Sequence, residues 1–505
     1  MFKHFSWKSM RNIVSILLIL ALLAGCGGNG GESGAGDGVL DVDIMSVYYT
    51  PEPPGEDNVI VEEIGKRTNT KLNITWVSPN NYGDKVNVTL ASGDIPDLML
   101  LDNAFTAQVR MMVQQGAFWD LTPYIKDYPN LMKFPKEAWI NTKQADGKNY
   151  GIPRVRPVDG GNFLYIRKDW LDKLGLEVPK TTDELYTVLK AFVEQDPDGN
   201  GKTDTIGYAG YVDQSSMGTL NALQYAFVQN NGDWKLIDGK LVNINLLPEM
   251  KDALEWLNKA YEEKLLPEDL ATLKNSQAKD MLKAGRAGGF QDTVEAAWEP
   301  TEELRKTDPK ADFEPLVSLN GYVNRDAGFF GMFVIPKTVP EEKMKKLLEL
   351  MDYGASDEGS DLASYGLKDV HYTEDIGIKV PTEQAKTDIV AQQALGQIFL
   401  KYDKYLRAYR SGMPDEVLER NKKIIDERAK ISIPDLAAGL NSETSTRVGN
   451  ELQKSIQDMK TKLILGKLPI SEWDNFVHEL KSNPDLLKMT EEINAAYQQR
   501  TASIK

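Results

Sequence analysis

The chain has 505 residues, 27% of them charged, with a formal net charge of −16, one cysteine and three histidines. Such acidity argues against a nucleic-acid binder, whose phosphate-facing surface demands patches of Lys and Arg. Histidines only at 4, 371 and 478 argue against a His-rich transition-metal centre, and a lone cysteine leaves no internal disulfide. Stability must come from burial, which a chain of this length supports over two or three domains.

The N-terminus is a three-part leader. Lys3, Lys8 and Arg11 give a basic start, residues 13–23 are almost entirely apolar, and the small residues Ala24 and Gly25 precede Cys26. This is the pattern of a secretory signal, and the apolar run falls short of the roughly 20 residues a membrane-spanning helix needs. Leu23-Ala24-Gly25-Cys26 resembles a bacterial lipobox, which implies a diacylglycerol on the Cys26 thiol after cleavage before it. Two acyl chains suffice for stable anchoring. The leader carries three positive charges and no acid, so its removal takes the net charge from −16 to −19. Residues 27–38 are a Gly-rich flexible tether. The protein is then expected outside the cytoplasmic membrane, touching it only through lipid. A Gram-positive host fits, with a periplasmic lipoprotein as the alternative.

From residue 40 strand-like and helix-like stretches alternate: strands at 40–48, 72–77 and 97–101, helices at 58–67 and 82–91. This βαβαβ order predicts a parallel sheet with helices on its faces, with ligands beyond the C-terminal ends of the strands. That places Tyr48 and Asp102 at candidate binding positions. Further strands are expected at 163–166, 288–291 and 329–335, and a hairpin over 234–242 around Asp238-Gly239. Helices are expected at 168–174, 182–194, 250–263 and 277–284. Thr181 and Glu184 bracket the start of the second of these as a capping box. After Pro340 nearly everything reads helical, most clearly at 341–353, 387–406, 414–430, 447–465 and 471–480.

Several stretches together resemble one family, the bacterial extracellular solute-binding proteins of ABC importers, and within it the large sugar-binding lipoproteins such as alginate- and maltose-binding proteins. They are ASGDIPDL at 91–98, GAFWDLT at 116–122, RKDWLDKLG at 167–175 with PKT at 179–181, and MLKAGRAGGFQ at 281–291. The resemblance runs from about 40 to 360. It implies an α/β, type II periplasmic-binding-protein-like fold: two α/β lobes, a hinge, and an extended helical C-terminal part. One lobe would be 39–155 plus about 325–360, the other 156–324, with 361–505 completing both. It also implies an oligosaccharide ligand in the cleft, ABC permease subunits as partners, a monomer, and no catalysis.

Residues 196–204 read D-x-D-x-N-G-x-x-D directly after the capped helix. Oxygen donors at positions 1, 3, 5, 7 and 9 of such a loop converge on one Ca²⁺, and Gly201 permits the sharp turn. The ligands would be Asp196, Asp198, Asn200, the backbone carbonyl of Lys202, and Asp204. The loop departs from an EF-hand at position 12, where Gly207 replaces the bidentate Glu. A Gly-rich turn that binds no metal is the alternative. A similar calcium loop in alginate-binding members of the family supports the structural-metal reading by resemblance.

Sugars present hydroxyl edges and apolar faces, so their sites combine aromatic platforms with Asp, Asn, Arg and Gln. The candidates are Tyr48 and Asp102 at strand ends, Arg154 and Tyr165 near the crossover between lobes, Asp292 and Trp298 after the Gly-rich segment, and Tyr322 before the return strand. Two other functions compete. A glycoside hydrolase would need a carboxylate pair, and none is singled out among 75 acidic residues. The same fold could instead bind a peptide or another solute, or act as a ligand sensor for a membrane receptor.

Overall fold

The computed structural model describes residues 38–50, 52–55, 57–159, 161–212, 216–375, 378–388, 392–410, 412–440 and 442–502. The leader, Cys26 and nearly all of the tether lie outside them. Among the described residues no helix is long and apolar enough to cross a membrane.

Strands β1 (Leu40–Val47), β2 (Thr70–Val77) and β3 (Leu98–Leu101) form one side of a five-stranded sheet. Residues Leu98, Met99, Leu100 and Leu101 are all 0% exposed, as expected of a strand covered on both faces, which needs a continuous apolar run. Strands β1 and β3 pair in parallel, with Ile44 opposite Leu98. The helix Val59–Thr68 between β1 and β2 starts where the Asn58 side chain accepts the N–H groups of Ile60 and Val61. The helix Pro79–Ser92 starts with proline and stops at Gly93, whose φ of 81° ends it in the left-handed region.

The sheet is completed by β4 (Gly151–Val155), while β5 (Phe163–Arg167) begins a second one. That second sheet is antiparallel throughout, order β8-β5-β9. Before it returns, the chain makes the hairpin β6 (Trp234–Ile237) and β7 (Lys240–Asn243), then β8 (Gly289–Asp292) and β9 (Phe313–Pro315). Asp238 and Gly239 both have positive φ, 49° and 80°, the geometry of the tight hairpin turn that Asp-Gly favours. The short β10 (Asn324–Arg325) precedes β11 (Phe329–Val334), which inserts antiparallel between β3 and β4. The parallel pairing expected through residue 101 holds where β1 meets β3, and the sheet becomes mixed at β11, because the chain re-enters from the opposite direction after building the second sheet.

Around the second sheet the capping box forms as read: the Glu184 N–H donates to Thr181 Oγ1 at 3.1 Å, and the Thr181 N–H donates to Glu184 Oε2 at 3.2 Å. The capped helix Thr182–Glu194 buries Phe192 edge-on against Trp170, ring centroids 5.2 Å apart. The late helices Glu443–Ile464, Glu472–Ser482 and Pro484–Ala502 add Ile456, Leu463, Trp473 and Leu486 to this same core.

Two expectations for the C-terminal part are corrected. The stretch after Pro340 is not nearly all helical: β12 (Tyr372–Asp375) and β13 (Ile378–Pro381) pair as a hairpin, and β14 (Ile433–Pro434) pairs in parallel with β10. Among its described residues the helix expected over 387–406 is replaced by the end of the helix Glu383–Asp388, the 3₁₀ turns of Gln392–Gln397 and a non-helical stretch after them. Tertiary contact overrides propensity here. Ala394, Leu395, Ile398 and Phe399 are each 0–1% exposed. Phe399 presses so closely on Gly354 that a Cβ there would lie 2.5 Å from its ring. The apolar residues follow this two-sided packing rather than one helical stripe.

Candidate ligand cleft

The chain passes between the two sheets at 156–162 and 316–328. A third pass runs from Gln397, which touches Arg154 of β4, to the helix Asp415–Ala429, whose Arg420 pairs with Asp312 beside β9. A cavity of about 680 Å³ opens at these crossings, within the range of small-ligand sites. Its aromatic lining is Tyr211, Tyr225, Tyr322, Phe329 and Phe330, and its amides include Asn162, Asn221, Asn231, Asn275 and Gln291.

Gly331 explains how the two phenylalanines reach it. Its φ is 80°, and a Cβ there would sit 2.5 Å from the Leu101 carbonyl. The pairing register of β11 against β4 shifts between Phe329 and Met332. Glycine at such a bulge re-aims the neighbouring side chains, and Phe330 is left 51% exposed at the cleft. Tyr322 is nearly buried, and its hydroxyl and the Gln291 side-chain oxygen are buried with no hydrogen-bond partner among the described residues. Buried polar atoms of this kind are normally satisfied, so both lack the partner that such atoms usually have.

The charged lining is mostly compensated. Asp292 pairs with Lys279 at 2.6 Å, and Arg407 with Glu295 at 2.9 Å. Arg428 is buried with its guanidinium 3.6 Å from the Phe163 ring centroid, and donates to Asn324 Oδ1 at 3.2 Å. Burial lowers it to about 10, opposed by the nearby Asp326 and Asp159. Burial also raises the Asp326 carboxyl to about 6, opposed by Arg428 and by the amide of Asn162, which donates at 3.3 Å.

Of the residues singled out in the sequence, Asp292 and Tyr322 line the cavity. Asp102 and Arg154 come together just beside it: their charges interact, and Arg154 lies 4.9 Å from the Phe330 ring centroid while donating to the Phe330 carbonyl at 2.8 Å. Tyr48 is half-buried at the end of β1, its N–H bonded to the Val77 carbonyl. Two expectations fall away from the lining. Tyr165 is 2% exposed, packed edge-on against Phe290 and Phe313 in the core of the second sheet. Trp298 is 6% exposed and clusters with Met413 and Val417. Tyr165 alternates onto the inner face of β5, whose outer neighbour Leu164 meets the cavity, whereas Trp298 opens a helix, Trp298–Arg305, that packs into its own cluster. Phe329, Phe330, Arg156 and Arg407 were missed. The one readable signal was a Gly-Phe-Phe-Gly run at 328–331, whose glycines mark a bulge carrying aromatics.

The 196–204 loop brings its donors together around Asn200. Its backbone N–H donates to Asp196 at 3.1 Å, and its side-chain amide donates to Asp198 at 2.8 Å and to Asp204 at 3.0 Å. A hydrogen bond between Asp196 and Asp198 lowers the first, while burial and Asp196 raise the second. Among the described residues no three His, Cys, Asp or Glu side chains gather as a ready metal centre. All the donors are nevertheless oxygens, the set a hard cation takes. Gly207 cannot be replaced by a ligand at position 12, because a Cβ there would meet Leu189 Cβ at 2.9 Å.

The sequence profile of the bacterial extracellular solute-binding proteins matches residues 50–359, and the chain belongs to that family. Lipoprotein LipO of Bacillus subtilis (strain 168) is 30% identical over 473 residues, 90% of this chain and 92% of that protein. The polygalacturonan/rhamnogalacturonan-binding protein YtcQ of the same organism is 32% identical over 458 residues, 87% and 88% of the two chains. A solved structure of the Streptococcus pneumoniae ABC-transporter substrate-binding protein FusA, an EF-hand mutant in complex with fructo-nystose, superposes with a TM-score of 0.65 at 20% identity, covering 92% of this chain and all of that one. The fold is thus the type II periplasmic-binding fold, with two α/β lobes joined by crossing segments and extended by C-terminal helices.

Proposed function

We propose that this protein is the extracellular binding component of an ABC importer, capturing an oligosaccharide in the cleft and handing it to permease subunits. The observation that carries the reading is the lining of the 680 Å³ cavity, in which the exposed ring of Phe330 and the edges of Tyr211, Tyr225 and Tyr322 stand among amide side chains. Rings supply faces for sugar C–H groups, and amides supply the donors and acceptors that hydroxyls require. The carbohydrates named for YtcQ and FusA support it. The lobes fall at 39–155 plus 325–360 and at 156–324, with 361–505 completing both, so the ligand holds them closed. The protein acts as a monomer and binds without catalysis. Cys26 carries the lipid anchor at the outer face of the cytoplasmic membrane, in keeping with the lipoprotein name of LipO.

Ca²⁺ is a structural cofactor of the second lobe, held by Asp196, Asp198, Asn200, the Lys202 carbonyl and Asp204. Convergence of these oxygens on one loop supports this, as does the EF-hand named for FusA. When bound, the cation supplies positive charge that fixes three carboxylates. Asn200 must then release Asp198 and Asp204, whose oxygens its amide now holds.

A thermal-shift screen of residues 27–505 against an oligosaccharide panel, with Ca²⁺ and with chelator, tests the function. A ligand at 100 times its dissociation constant adds about 2.7 kcal/mol, a rise of a few degrees, and mass spectrometry should recover it intact. No response to any glycan, in a folded protein that still responds to Ca²⁺, sinks the reading.

A further inference from the structure

Arg156 stands at the start of the first crossing segment and lines the cavity. Its guanidinium donates to the Val155 carbonyl at 2.8 Å and to Gln397 Oε1 at 3.0 Å. That same amide oxygen accepts from Arg154 at 2.5 Å. Two neighbouring guanidinium groups therefore share one neutral acceptor. Among the described residues neither Arg154 nor Arg156 has a carboxylate within ion-pair distance, whereas Arg407 and the cavity's Asp292 do have partners. Burial, then the like charges of Arg154 and Arg407, push Arg156 down to about 9, so it remains a cation at neutral pH. A half-buried cation without a counter-ion is costly to hold, and the cost is relieved by an anion that takes up the free N–H groups. Arg presents these as a planar fork that matches an oxyanion in two-point contact.

The placement is notable in a chain of net charge −16. Its general field repels anions, but that repulsion fades over roughly 8 Å at physiological salt, while contacts inside the cleft are screened far less. Resting on the oligosaccharide reading above, we infer that the ligand is acidic, a uronic-acid oligosaccharide whose carboxylate docks on Arg156 between Arg154 and Arg407. The aromatic and amide lining takes the remaining sugar rings.

The test is calorimetric titration of residues 27–505, which keep every described residue from 38 onward. The probes are trisaccharides of galacturonate, mannuronate, guluronate and glucuronate, each beside its methyl ester, with neutral and sulfated oligosaccharides of similar length. At least one uronate should bind. Its methyl ester, which keeps the skeleton and removes the charge, should bind roughly 10- to 100-fold more weakly. Arg156→Gln should lose a similar factor with its unfolding midpoint retained. If that variant fails to fold, Arg156→Lys, which keeps the charge but not the fork, should still lose several-fold. Binding of neutral glycans and of no uronate would overturn the acidic ligand while leaving the transport reading intact. Binding of sulfated glycans and of no uronate would replace the carboxylate by a sulfate ester. Full uronate affinity in both variants would remove Arg156 from the site. No binding to any glycan, with the Ca²⁺ response retained, would instead count against the oligosaccharide reading itself.

Discussion

The 196–204 loop and the interlobe cavity are both built from polar side chains, but they are assembled in opposite ways. All the loop's donors lie within nine consecutive residues, and their mutual geometry follows from local turns: Asp196, Gly199 and Gly201 take φ of 47°, 74° and 76°. The cavity draws on Arg156, Tyr211, Asp292, Tyr322, Phe330, Arg407 and Arg428, separated by up to hundreds of residues and joined only when three chain segments cross. A local site survives as long as its own loop folds. A distributed one depends on every strand that aims a residue into it.

The largest effect should come from Gly331→Val. Forcing a branched residue to φ of 80° against the Leu101 carbonyl should cost about 3 kcal/mol or more in urea unfolding. It should also abolish glycan binding by turning Phe330 away. An unchanged midpoint would mean that the bulge does not depend on this glycine. Phe330→Ala separates binding from folding. Because the ring is 51% exposed, stability should move by only about 0.5 kcal/mol, while affinity falls about tenfold in calorimetry. A large loss of stability would show that Phe330 is a core residue.

The loop should behave in the opposite sense. Asp196→Asn with Asp204→Asn should erase the rise of a few degrees that Ca²⁺ gives the thermal midpoint, and leave glycan affinity within about twofold. If chelation weakens glycan binding instead, the two sites are coupled and the contrast between them collapses.

The smallest effect is a pH dependence carried by Asp326, which faces Arg428, Arg407, Asp159, Asn162 and Asn324 in the cleft. Its folded-state value of about 6 lies above the 3.8 ordinary for an aspartate. The folded protein therefore holds a proton that the unfolded chain has released. Stability is favoured at low pH and declines as pH rises from about 4 to 6. Urea midpoints across that range should lose this component in Asp326→Asn. A steeper decline in the variant would reverse the assignment.

Much of the fold was legible because its signals are short-range. The alternation through residue 101, the Thr181–Glu184 box and the Asp238-Gly239 turn each act over a few residues, and the structure contains all three. The family motifs carried the two-lobe architecture. The helix expected at 387–406 was lost because Phe399 answers to Gly354 rather than to its neighbours in sequence. In the cleft, Asp292 and Tyr322 line the cavity from positions beside strands, while Tyr165 turns into the core for a reason of parity and Trp298 is drawn into a helix cluster with Met413 and Val417. One step along an element separates the face that meets ligand from the face that meets core, and single-sequence reading cannot fix which is which without the partner sheet.

The sequence by itself determined the acidic charge, the oxygen-donor loop and the alternation that makes an α/β chain, because each depends on residue identity rather than on which distant segments meet. Only the tertiary structure decided that β11 returns antiparallel between β3 and β4, that Gly331 turns Phe330 outward, and that Arg156 faces the cavity with no carboxylate among the described residues to answer it. Those outcomes depend on which distant segments meet, and that choice is made by burial of the whole core rather than by any local preference.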